Sequence, residues 1–190
     1  MTFIDTIPPD QAEGAVAELY DTDRATFGHL PNFARAFSLR PDVYAAWRRL
    51  HGAITANMDP RRYELATLAA ARRLRSSYCA LAHGKALLDL GVDEDAVCDG
   101  VGLTDVEVAL MEFAEKVATD APSITQEDID GLRALGLDDA EIVDAVLAAA
   151  ARCFFSTVLD GLGVEPDARF ARLPARVLQS LTVGRAVSST

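Results

Sequence analysis

The chain has 190 residues, 50% of them hydrophobic and 25% charged, with 12 Gly and 8 Pro. That composition excludes collagen-like, low-complexity and broadly disordered chains, and the length fits one domain able to bury a core. Lys and Arg total 18 against 29 Asp and Glu, a net charge of −11 that repels phosphate backbones, so no nucleic-acid partner is expected.

Helix signals dominate. Alanine and leucine are abundant, aromatics are 7%, and no segment alternates long enough for a sheet. Pro9-Asp10 opens a first helix toward Leu19-Tyr20, and Leu30-Pro31-Asn32 precedes a short second one. Pro41-Asp42 starts a third, with Val43, Trp47 and Leu50 at helical spacing. A fourth begins at Asp59-Pro60, and a fifth runs from Ser76-Ser77 to a glycine stop at Leu90-Gly91. A short helix near Asp95 is followed by helices from Asp105 to Thr119, Gln126 to Leu135 and Asp138 to Leu162. A loop follows at 163–166, and the stretch from Leu173-Pro174 to Thr190 has little pattern; residues 1–165 are read as one all-helical domain and 166–190 as a C-terminal tail. Residues 87–97 and 132–142 echo each other, each a helix, a glycine stop, an acidic cap and a new helix.

The three cysteines, Cys79, Cys98 and Cys153, form no disulfide framework and suit a reducing compartment. The N-terminus lacks a basic segment followed by a long apolar run, so no signal peptide is expected. The most apolar stretch, Ile142 to Leu159, is broken by Asp144 and Arg152, which predicts a buried helix and no membrane span. A cytoplasmic location follows as the expectation.

The most informative stretch is Ser76-Ser77-Tyr78-Cys79-Ala80-Leu81-Ala82-His83. A serine N-cap at 76 or 77 places Cys79 in a first helical turn, where unpaired N–H groups favour negative charge. His83, four residues on, shares that face and can take a proton from the thiol. Arg73 and Arg75 are candidates for added positive potential, and Tyr78 for a pocket wall. Taken alone, the pattern equally fits a small buried cysteine with an unrelated histidine. Glu64, in an otherwise apolar run, needs a partner or water. If the helix over 60–74 folds back on the next, Glu64 orients His83 and holds its protonated form, or relays the proton itself. Cys98 and Cys153 are expected to be structural. The histidines show no metal-ligand spacing and no Gly-rich loop precedes a helix, so neither metal nor cofactor is expected.

Glu64, Ser76, Cys79 and His83 stand at the spacing of E-x11-C-x2-C-x3-H, which resembles the motif of alkyl hydroperoxidase D-like (AhpD-like) proteins of the carboxymuconolactone decarboxylase superfamily. Arg62-Tyr63-Glu64-Leu65, the segment 83–92 with its Gly84 and Gly91, and the stretches 103–114 and 132–143 extend the likeness, toward the peroxidase-related branch, over roughly residues 40 to 165, with the motif in 60–90. The resemblance implies an all-α, AhpD-like multi-helix bundle and a homo-oligomer, trimer or hexamer. It implies a peroxidase-type antioxidant oxidoreductase with Cys79 as nucleophile and His83 and Glu64 as proton relay. It also carries a departure: Ser76 occupies the first cysteine's place, where a helix cap is its expected role, and a hydroxyl cannot close the two-cysteine cycle. A single-cysteine enzyme would take a peroxide and an external thiol reductant. Two rivals stand beside it: a cofactor-free lyase or isomerase using Glu64 and His83 on a small organic acid, and a non-catalytic oligomeric binder with a relic site.

Overall fold

Alanine- and leucine-rich segments set off by proline starts and glycine stops build an all-α fold, with no strand among the described residues. In the computed structural model, which describes residues 2–189, the helices are α1 (Gly14–Phe27), α2 (Asn32–Ala36), α3 (Pro41–Thr55), α4 (Pro60–Arg73) and α5 (Ser77–Asp89). They continue as α6 (Glu94–Asp99), α7 (Asp105–Asp120), α8 (Gln126–Ala134), α9 (Asp139–Gly161) and α10 (Ala175–Leu181). The expected helices are thus present, with one shift near the start. Pro9 supports a single 3-10 turn, Pro9–Gln11, before extended backbone at Ala12; α1 begins at Gly14 and runs on to a left-handed stop at Gly28.

The centre of the fold is α4, which packs on α5, α7 and α9. Asp59 caps it by accepting the Arg62 amide at 2.9 Å, Pro60 fits its first turn, and residues 65–71 are all buried. A helix apolar on every side belongs inside a core. Capping boxes start two of its neighbours, Thr104 with Glu107 at α7 and Asp138 with Glu141 at α9. By length and composition α9 could cross a membrane, but half of that stretch is buried inside the fold, as in a core helix.

A tight reversal joins α4 to α5. The Ser76 amide donates to Ala71 O and the Arg75 amide to Arg72 O, both at 3.0 Å, with Arg75 at φ 57°. This is a Schellman motif with arginine in the left-handed position that glycine usually fills. It lays α5 back along α4, the arrangement on which the expected role of Glu64 depends. The 87–97 and 132–142 echo has the same basis: Val92 and Gly91 bond back to Leu87 and Leu88 as Leu137 and Gly136 bond back to Leu132 and Arg133.

The segment after 166 departs from the patternless tail expected, apart from residue 190, which lies outside the described residues. It forms a 3-10 helix, Ala168–Arg172, and then α10, whose Val177 and Leu181 are fully buried against α5 and α6. Two apolar positions four apart in a single helix of two turns are too short a pattern to stand out in sequence. Leu181 lies so close to Gly84 of α5 that a β-carbon there would collide with its Cδ1. Further on, the Gly184 amide donates to Ser77 Oγ at 2.7 Å, tying the chain's end to the start of α5.

Candidate active site

The α4–α5 reversal brings Glu64 and His83 together: His83 Nδ1 is 2.6 Å from Glu64 Oε2. Thr67, one turn along α4, donates its hydroxyl to Tyr63 O at 2.7 Å and presents the oxygen to the same Nδ1 at 3.1 Å. With two acceptors at Nδ1, that nitrogen carries the proton and Nε2 carries the lone pair. Burial, reinforced by the Arg152 charge, pushes the His83 pKa down to about 4 against the pull of Glu64. Glu64 therefore orients a neutral imidazole. The other expected role, holding the protonated form, is overridden by burial.

Cys79, in the first turn of α5, is 1% exposed and lines a cavity of about 410 Å³ together with His83. The positive charge at its sulfur comes neither from Arg73, which is exposed, nor from Arg75, whose Nε donates to Val183 O at 3.3 Å. It comes from Arg152 of α9: Nη1 lies 3.3 Å from Cys79 Sγ, and the guanidinium also reaches the Tyr63 hydroxyl. In the sequence Arg152 reads only as an interruption of an apolar run. That interruption is the signal: a guanidinium in a buried helix needs partners.

Ser76 occupies the N-cap position of α5 but makes no side-chain capping bond. It is fully buried, with its backbone in the Schellman turn, so the capping role expected of its side chain is not observed. Tyr78 does form a wall of the cavity, with its ring. Its hydroxyl is committed to Asp167 Oδ2 at 2.5 Å, and burial beside that carboxylate raises its pKa well above the usual value. Cys98 and Cys153 are free thiols outside the cavity, the latter facing Ala118 O at 3.8 Å. Among the described residues no three His, Cys, Asp or Glu gather as a metal site.

The remaining lining was not singled out from the sequence. His51 and Trp47 come from α3, Phe33 from α2 and Phe155 from α9. Trp47 stacks on Phe155 with centroids 4.9 Å apart, and His51 is held below its ordinary pKa by burial and by Arg152. At one side Arg48 pairs with the fully buried Asp23 at 2.6 Å, which also accepts the Tyr44 hydroxyl at 2.8 Å.

The model of the carboxymuconolactone decarboxylase family matches residues 41–120, the segment holding α3 through α7 and both Glu64 and Cys79. No curated protein matches the sequence. Among solved structures, the fold is similar to the AhpD core of an uncharacterized peroxidase-related protein from Ralstonia eutropha JMP134, with a TM-score of 0.80 and 18% identity over 89% of this chain and 94% of that one. It is also similar to a peroxidase-related protein from Silicibacter sp. TM1040, with a TM-score of 0.75 and 18% identity over 90% and 91%. A variant of the debrominase Bmp8 in complex with 2,3,4-tribromopyrrole aligns with a TM-score of 0.69 and 15% identity over 95% and 98%. Residues 41–120 thus match the carboxymuconolactone decarboxylase family, on an all-α fold similar to that of AhpD-like, peroxidase-related proteins.

Proposed function

We propose that the protein is a peroxidase-like thiol oxidoreductase in which Cys79 is the nucleophile and His83 and Glu64 relay the proton. The observation that carries this reading is the placement of Cys79 Sγ in a cavity, 3.3 Å from a guanidinium and one helical turn from a neutral imidazole. Arg152 compensates the charge of a thiolate, and the lone pair at His83 Nε2 receives the thiol proton. The thiolate attacks one peroxide oxygen, so an S–O bond forms as the O–O bond breaks. The departing alkoxide takes the proton from His83, and the sulfur is left as a sulfenic acid. With serine at 76 and the other cysteines outside the cavity, no thiol of this chain resolves it. One external thiol displaces the oxygen as water and forms a mixed disulfide; a second frees Cys79 and leaves as the reductant's disulfide.

The reading is tested by peroxide consumption with a small-thiol reductant, alongside trapping of the sulfenic acid. Cys79→Ser is expected to abolish both, and unchanged turnover in that variant overturns the thiol mechanism. The Glu64–His83 pair also favours a second reading, since its imidazole is an oriented base without any help from sulfur. As a lyase or isomerase, the enzyme would keep turnover in Cys79→Ser and lose it in His83→Ala. A fold shared with a debrominase leaves the choice to the site. A homo-oligomer in the cytoplasm goes with either reading. The exposed Val143, Leu147 and Phe154 of α9 give a second copy an apolar face, and a monomer mass by light scattering would remove that element.

A further inference from the structure

The cavity around Cys79 has an unusual composition. Aromatic rings make much of its wall: Phe27, Phe33, Tyr44, Trp47, Tyr78 and Phe155. They are ordered relative to one another, Trp47 lying parallel to Phe155 at 19° while Phe33 meets Phe155 and Tyr78 edge-on, both at 70°. Flat walls of this kind favour a flat occupant, because ring pairs attract beyond the area they bury. The volume, about 410 Å³, suits a molecule of one or two rings.

Charge supplies the second constraint. Two guanidiniums line the cavity, and Arg48 is neutralised by Asp23. Arg152 is 5% exposed and has no carboxylate partner among the described residues. Its Nη1 meets Cys79 Sγ, its Cζ lies 5.6 Å from the Phe155 centroid, and its buried Nε has no hydrogen-bond partner. His83 and His51 are both neutral at neutral pH, and Glu64 is taken up by His83. While Cys79 is a thiol, the cavity therefore holds one buried cation without a carboxylate partner among the described residues, and a spare donor, an arrangement that favours an arriving anion.

We propose that this cavity binds a planar aromatic molecule bearing an anionic oxygen, its ring against the aromatic wall that Phe33, Trp47 and Phe155 form and its oxygen on Arg152 beside the Cys79 sulfur. This names a substrate class for the proposed reaction and rests on that reading only in taking the Cys79 cavity as the place of reaction.

Trp47 is the chain's single tryptophan, so its fluorescence reports occupancy. The intact protein is titrated with 4-nitrophenolate, with its uncharged methyl ether 4-nitroanisole, and with hexanoate, which has charge but no ring; calorimetry repeats each titration independently. The phenolate is expected to bind at least about tenfold more tightly than either control, a difference of about 1.4 kcal/mol. Arg152→Gln is expected to erase the advantage over nitroanisole. Phe33→Leu, which leaves the charge in place, is expected to narrow the advantage over hexanoate. Equal binding of hexanoate, or an unchanged phenolate affinity in Arg152→Gln, overturns the proposal. If the phenolate fails to bind while Cys79 still consumes peroxide, the ligand class falls alone. If it binds as expected while Cys79→Ser still consumes peroxide, the ligand class stands and the thiol mechanism falls.

Discussion

Nη1 of Arg152 and Sγ of Cys79, 73 residues apart in the chain, meet at 3.3 Å inside the fold. Hydrogen bonds involving a charged group contribute about 1.5–3 kcal/mol. Arg152→Gln is therefore expected to slow iodoacetamide labelling of Cys79 at neutral pH by about ten- to hundredfold. Peptide-mapped mass spectrometry separates Cys79 from Cys98 and Cys153. Equal labelling rates would show that Arg152 does not assist the sulfur.

The 2.6 Å contact between Glu64 and His83 makes a graded prediction. Removing a general acid–base group lowers turnover by about a hundredfold or more, so His83→Ala should do so for any reaction that uses the imidazole. Glu64→Gln keeps an acceptor for Nδ1–H and loses only the charge. Its turnover should lie between wild type and His83→Ala, with KM little changed. A Glu64→Gln enzyme as impaired as His83→Ala would indicate that Glu64 itself moves the proton.

Folding stability should carry the signature of the buried imidazole. His83 binds a proton near pH 6.5 when unfolded but only near pH 4 when folded, so the unfolded chain holds the extra proton between those values. Its contribution is complete above about pH 6.5, fades as the pH falls toward 4 and is fully lost below that. Urea melts across this window should show His83→Gln losing about 3 kcal/mol less than wild type on acidification. His51, also held low by burial, adds to the acid sensitivity of both proteins.

At Gly84, α5 and α10 approach closely. Gly84→Ala forces a β-carbon into Leu181 Cδ1, and overpacking of this kind costs about 1–3 kcal/mol. Leu181→Ala alone should also destabilise by emptying a buried site. The double variant should lose less than the sum of the two, which denaturant titration measures directly.

Ser76→Cys places a second thiol three residues before Cys79, both positions being buried at the start of α5. Mild oxidation is expected to remove two free thiols per chain, reversibly with dithiothreitol. Persistence of both thiols would mean that the turn at Arg75 holds residue 76 too far from the sulfur.

The helical class and most helix limits were legible because caps and stops are local. Thr104 and Asp138 announce α7 and α9 through side chains that accept the amide three residues on, and glycine stops mark several helix ends. Glu64, Cys79 and His83 were legible because a single reversal between two consecutive helices unites them. Arg152 was not, since its partner depends on how α9 crosses α5, a tertiary packing event that no neighbouring residue encodes. The direction of the His83 shift was likewise hidden: the sequence shows a carboxylate in reach but not the burial that outweighs it.

The bond from the Gly184 amide to Ser77 Oγ has a practical corollary. The segment after α10 is moored two residues before Cys79, and Gly184 lies so near Arg75 O that any side chain there would strike the carbonyl. A side chain at position 184 is therefore expected to push the strap off Ser77 and to disturb the turn that opens α5, ahead of Cys79.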